Sequence, residues 1–237
     1  MPRVSVLMSV WNGIKYLDQA LFSIANQTYK DYEVVIIDDA STDGSPEVIE
    51  KYRERLPGIF RVVRNEKNYG LVKSLNKAIE LTDSEFLARQ DDDDISLPHK
   101  LSLQVAYASQ RSDISVLSTQ AITMTENGIP VLDGYMDDLV FNPETISKDL
   151  LTGNKIVHGT VLMRRSLIRP FNFYDESLKH VEDYDLWLRV SEKCRMECLP
   201  KVTYLWRANL SGVSHRNTKL QTQNVYLAKQ RAIERRK

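Results

Sequence analysis

A strict alternation of short apolar runs and helical patterns over residues 1–111 leaves this chain few ways to fold. Val4-Ser5-Val6-Leu7-Met8-Ser9 is β-branched and apolar, as a strand should be, and closes in the turn residues Val10-Trp11-Asn12-Gly13. Tyr16, Leu17, Ala20, Leu21 and Ile24 then recur at helical spacing. Glu33-Val34-Val35-Ile36-Ile37 is nearly continuous in apolar character, which predicts a strand covered on both faces. Ser45 is the expected N-cap of the next helix, with Pro46 in its first turn. Phe60–Val63, a helix over Leu71–Leu81, a strand at Phe86–Arg89 and a helix over Pro98–Arg111 complete the series. Strands alternating with helices predict an α/β fold, a Rossmann-like, mostly parallel sheet flanked by helices.

The pattern then loosens. Ile114–Met124 and Ile129–Tyr135 read as strands around a turn at Glu126-Asn127-Gly128. Pro143–Leu151 reads as a helix, Gly159–Met163 as a strand and Glu182–Lys193 as a helix. Met196–Leu199 and Val202–Trp206 read as a hairpin about Pro200. The expected organisation is a first half, 1–111, a mixed second half of the same domain, 112–214, and a basic helix, 215–237.

Composition narrows the function classes. The formal net charge is zero, so no overall field draws the chain to nucleic acid. Hydrophobic content of 42% with 27% charged residues suits a globular domain. No apolar run reaches membrane-spanning length, and Val4–Trp11 is too short and too polar for a secretory signal, so the expected location is the cytoplasm. Cys194 and Cys198 lack further ligands at zinc spacing and are expected to be reduced.

The chemistry concentrates in three acidic groups. Asp38-Asp39 ends the second strand, Asp91-Asp92-Asp93-Asp94 ends the fourth, and Glu182-Asp183 opens a later helix. In a parallel sheet the first two face one crevice at the carboxyl edge, where ligands bind in open α/β folds. Four adjacent carboxylates are costly unless neutralised, and a hard divalent cation, Mn²⁺ or Mg²⁺, neutralises oxygen donors best. The run is no EF-hand loop, because Ser96 stands at its sixth position and Ser102 at its twelfth. Neither a G-x-G-x-x-G nor a P-loop is present.

Taken in order, these pieces resemble an inverting family 2 glycosyltransferase of the GT-A fold. The resemblance rests on Val4 through Gly13, Gln27-Thr28-Tyr29, Glu33 through Gly44, Asn68-Tyr69-Gly70 with Asn76, Asp91 through Pro98, and Glu182 through Arg189. It implies that Asp39 hydrogen-bonds the uracil of a uridine diphosphate (UDP) sugar and that Trp11, where the family usually has Tyr, stacks on that base. It implies nucleoside contacts from the backbone of Ser9 and Val10. At the metal site it implies Asp93 as ligand, with Asp91 and Asp92 beside the ribose and diphosphate; four consecutive carboxylates leave open which oxygen touches the metal. Asp183 corresponds to the catalytic base, and Glu182 precedes it. Lys73 lies one turn into a helix and is placed to reach a phosphate. His158 corresponds to a position lining the acceptor side. Near Arg207 the family's usual His is missing, since the chain reads Arg207-Ala208-Asn209, and His215 is the candidate substitute.

The function so implied is metal-dependent transfer of a hexose or N-acetylhexosamine to a glycan or lipid-linked sugar hydroxyl, in surface polysaccharide, capsule or lipopolysaccharide synthesis. A non-catalytic nucleotide-sugar binding module and a sugar nucleotidyltransferase are the alternatives. Seven Lys or Arg against one acidic residue from His215 onward would suit peripheral docking on an anionic inner membrane face. Donor sugar, acceptor and oligomeric state are not encoded in any motif.

Overall fold

The computed structural model describes residues 1–135, 141–209 and 218–237. Its first half follows the alternation: β1 (Val4–Val10), α1 (Ile14–Ala25), β2 (Tyr32–Asp38), α2 (Ser45–Arg55), β3 (Phe60–Arg64), α3 (Leu71–Glu80), β4 (Phe86–Arg89), β5 (Ile95–Ser96) and α4 (Lys100–Ser109). The second half adds β6 (Ile114–Met124), β7 (Pro130–Tyr135), α5 (Ile146–Asp149), β8 (Leu162–Arg164), α6 (Arg165–Ile168), α7 (Glu182–Ser191), β9 (Arg195–Arg207) and α8 (Thr218–Arg235).

Among the described residues the nine strands join one sheet in the order β3-β2-β1-β4-β8-β6-β9-β5, with β7 on β6. β1 pairs in parallel with both β2 and β4, so the strand ends bearing Asp38 and Asp91 flank β1 on the same edge. Alternate residues face opposite layers. Val4, Val6, Met8, Val34 and Ile36 pack with α1, α2 and α4, whereas Leu7, Val35, Ile37 and Leu87 pack with α3, α7 and α8. Helices thus cover both faces, which explains the uninterrupted apolar run in β2.

Several expectations are corrected. Ser45 is the first residue of α2 rather than its cap. Asp43 takes the capping role: its two carboxylate oxygens accept from Ser45 N at 2.9 Å and Ile14 N at 3.1 Å, serving the starts of both α2 and α1. The freed Ser45 hydroxyl accepts from Gly13 N at 3.0 Å. The hairpin expected around Pro200 is one continuous strand, β9, parallel to β6. Leu199 pairs with Thr119 and Val202 with the next residue, Gln120, so Pro200 and Lys201 lie in a bulge where a missing N–H is tolerated. Residues His158–Thr160 form a 3-10 turn ahead of β8 instead of its start, and the helix expected over Pro143–Leu151 shortens to α5.

The basic C-terminal helix, α8, packs on the domain. It buries Ala228 and Ala232, and three of its cations bond to other segments. Arg231 pairs with Asp175 at 3.0 Å, Arg235 with Glu192 at 2.8 Å, and Lys229 Nζ donates to Thr152 O at 3.0 Å. Among the described residues no helix is long and apolar enough to cross a membrane. Both cysteines are free.

Candidate active site

The carboxyl edge of β1 and β2 is laced together by loop side chains. Asn12 adopts a left-handed conformation (φ 54°), donates its N–H to Ser41 Oγ at 3.1 Å and accepts from Thr42 N at 2.8 Å through Oδ1. Trp11 projects from this turn, 51% exposed, so a ring face is free to stack on a planar ligand. Ser9 is half-buried. Val10 is fully buried and offers only backbone, its carbonyl accepting from Asp39 N at 2.8 Å.

Asp39 itself is buried and largely committed. It accepts from Asn65 Nδ2 at 2.7 Å, Tyr69 N at 2.9 Å and Gly70 N at 2.8 Å. A carboxylate has about four acceptor sites, leaving one for a ligand donor. Gly70 supplies its N–H at φ +92°, a backbone conformation open to glycine at little cost. Asp38 is tied by Arg64 at 2.9 Å and by Ser41 N at 2.9 Å. Lys73 is exposed and stands 3.7 Å from Glu176.

The acidic run is crowded. Burial together with the neighbouring Asp93 and Asp91 charges pushes the Asp92 carboxyl up to about 8. Asp93 is raised by burial and by Asp91, and Asp94 well above the usual range by burial, Asp91 and Asp93. The side chains are sorted by role. Asp94 is buried and accepts from Arg207 N at 2.7 Å, so it anchors the loop. Asp93 receives Asn209 Nδ2 at 3.2 Å. Asp91 pairs with the buried Arg89 guanidinium at 2.6 Å. Asp92 leans over Gly13, where a Cβ would stand 2.5 Å from its Oδ2.

Arg207 is engaged within the domain. It is buried, with its Nε donating to Asp93 O at 2.6 Å, one terminal nitrogen to Glu126 O at 2.7 Å and the other to Gln19 Oε1 at 2.8 Å, while the guanidinium lies 4.4 Å over the Tyr16 ring. It is a structural clamp between the acidic loop, α1 and the turn after β6. His215, the candidate substitute for the missing His, lies outside the described residues.

The third acidic group meets the second through the fold. Glu182 and Asp183 open α7, where the helix dipole favours negative charge. Burial nevertheless raises Glu182 to about 7, with Asp183 as the next cause, and raises Asp183 to about 6. Asp91 is close enough to raise both further. Glu182 Oε2 is buried without a hydrogen-bond partner among the described residues. Asp183 accepts from Asn154 Nδ2 at 3.0 Å. His158, half-buried, holds Tyr174 Oη at 2.7 Å and meets the Trp187 ring edge-on at 6.0 Å. Burial and the nearby Arg89 and Lys100 charges push it well below the usual imidazole range, so it is neutral.

Sequence reasoning missed the groups beneath these acids. Lys100 is fully buried; its ammonium donates to Arg89 O at 2.9 Å, to Ser96 Oγ at 3.3 Å and to Gly159 O, and burial lowers it to about 7. Tyr204 Oη accepts from Asp91 N at 3.3 Å. Arg89 adjoins the acidic run in sequence, and that adjacency was its one available signal.

The donor set fits a hard divalent cation. It is all oxygen, and its carboxyls are pushed toward the protonated form by one another. Among the described residues no three His, Cys, Asp or Glu side chains converge on one point.

Residues 5–170 match the family described as Glycosyl transferase family 2. The O-antigen biosynthesis glycosyltransferase WbnJ of Escherichia coli is 31% identical over 196 residues, covering 82% of this chain and 74% of WbnJ. Two solved structures share the fold. Staphylococcus aureus TarS 1–349 with UDP-GlcNAc aligns at a TM-score of 0.77 and 24% identity, over 95% of this chain and 64% of that one. The mannosyltransferase PcManGT of Pyrobaculum calidifontis, with GDP-Man and Mn²⁺, aligns at 0.75 and 18%, over 98% and 64%. The chain therefore spans about two thirds of the length of such relatives. With a GT-A-like sheet and the family match running from β1 through β8, the chain belongs to glycosyl transferase family 2.

Proposed function

We propose that the chain is a metal-dependent inverting transferase that moves a hexose or N-acetylhexosamine from a UDP-sugar to a sugar hydroxyl on a glycan or lipid-linked acceptor, in surface polysaccharide assembly. The observation that carries this reading is the electrostatic influence of Asp91 on the Glu182-Asp183 pair, residues far apart in sequence. On this reading the Asp91–Asp94 loop would hold the cation and Asp183 would act as base. WbnJ, named for O-antigen biosynthesis, and TarS, solved with UDP-GlcNAc, support the substrate class.

An inverting transfer is a single in-line displacement. Asp183, ionised above about pH 6, takes the proton of the acceptor hydroxyl. The acceptor oxygen attacks the anomeric carbon, and the bond from that carbon to the diphosphate oxygen breaks on the opposite face. Mn²⁺ or Mg²⁺, held by Asp93 and Asp91, supplies Lewis-acid charge against the leaving diphosphate when bound. Asp39 uses its remaining lone pair on the uracil N–H, and Trp11 stacks on the ring. His158 and Tyr174 shape the acceptor side.

The test is thermal melting with uridine, guanosine and thymidine diphosphates, each with and without Mn²⁺. A ligand that binds the folded state raises the midpoint by mass action. A metal-dependent shift with UDP that disappears in Asp93→Ala is the expected result. A shift with guanosine diphosphate alone would overturn the uracil assignment of Asp39, an outcome to which the GDP-Man complex of PcManGT gives weight. No shift with any nucleotide would remove the donor-site reading.

A further inference from the structure

The loop between α5 and the 3-10 turn contributes one side chain to the reacting carboxylate. Asn154 Nδ2 donates to Asp183 Oδ2 at 3.0 Å, and Asn154 Oδ1 accepts from Ile156 N at 3.1 Å. The second bond fixes the amide orientation, because a backbone N–H can meet only the oxygen of the amide. The donor end of Asn154 is therefore turned toward Asp183. At its other end the same loop is clamped to the α7 layer through His158, which holds Tyr174 and abuts Trp187. Asn154 itself is exposed, so it is free of core packing duties.

We infer that Asn154 is a positioning residue, which holds the Asp183 carboxylate by Oδ2 and leaves Oδ1 to take the proton of the acceptor hydroxyl. This rests on Asp183 being the base, as proposed above. An unrestrained carboxylate rotates about its last torsion and spends time misaligned, and small misplacements cost large factors in rate. Backbone N–H groups at the start of α7, those of Asp183 and Tyr184, also favour the ionised form, and Asn154 is the side chain that donates to it. Of the titratable groups around it, Asp91 is paired with Arg89, Tyr174 is held by His158, and Glu182 is a second carboxyl.

The assay is UDP release from UDP-N-acetylglucosamine with Mn²⁺, in which water stands in for the acceptor. UDP-glucose is the second probe. In Asn154→Ala, kcat should fall roughly 10- to 100-fold with the donor KM little changed. The acid limb of kcat should move to higher pH, because the lost hydrogen bond favoured the ionised base. In an Asp183→Asn background, Asn154→Ala should change the residual rate by less than about twofold, since the two act through one group. A merely structural role would move neither the limb nor this coupling. If Asp183→Asn abolishes turnover while folded Asn154→Ala keeps parental kcat and pH limb, the positioning role is wrong. If Asp183→Asn turns over normally, the base assignment fails and takes this inference with it.

Discussion

Gly159→Ala tests how tightly the acidic loop is held from below. A Cβ at Gly159 would lie 2.1 Å from both Cζ and Oη of Tyr204 and 2.5 Å from its Cε1. Non-bonded carbons prefer about 3.5–4.0 Å, so the ring must retreat by roughly 1.4 Å or more. It has no room to do so. Tyr204 is fully buried in β9, hydrogen-bonded between β6 and β5, with the Lys100 ammonium 4.8 Å over its ring. Overpacking of this kind costs about 1–3 kcal/mol, and a rigid aromatic neighbour places this case at or above the upper figure. Urea unfolding followed by far-UV circular dichroism should show the midpoint falling with an unchanged slope. Tyr204→Leu removes the ring, so the double variant Gly159→Ala/Tyr204→Leu should lose less stability than the two single losses added together. A Gly159→Ala protein within about 0.5 kcal/mol of the parent would refute the steric argument.

Two other perturbations separate stability from function. Glu182→Gln should flatten the pH dependence of stability. The folded-state value is raised, so the stabilisation it gives is complete below about pH 4.5 and is lost as pH rises through about 7, a difference on the order of 3 kcal/mol. Unfolding titrations from pH 5 to 8 that run parallel for parent and variant would count against a buried, protonated Glu182. Gly13→Ala clashes with the Asp92 carboxylate alone, Val10 Cγ1 standing at an ordinary 3.6 Å, and Gly13 has an ordinary φ of −94°. It should therefore cost less than about 1 kcal/mol while displacing Asp92, so the Mn²⁺-dependent melting shift with UDP shrinks at nearly parental stability.

The first half of the fold was legible in the sequence. Period-3.6 patterns in α1 and α3 and unbroken apolar runs in β1 and β2 are properties of short windows, and residues in a short window decide them. The parallel alternation then requires the ends of β2 and β4 to share an edge, so Asp39 and Asp91 were legible as residues of one edge. What each polar side chain spends itself on was decided only by tertiary structure. Arg207 and Asp94 are 113 positions apart, Asn154 and Asp183 are 29 apart, and each pair meets only once the sheet has closed. The same holds for Pro200, whose bulge depends on β6 alongside, and for the basic residues of α8, whose acidic partners lie on other segments of the chain. Local periodicity follows from the geometry of neighbouring residues. A hydrogen bond or a pKa follows from whatever surface the rest of the chain brings against it, and no local pattern carries that information.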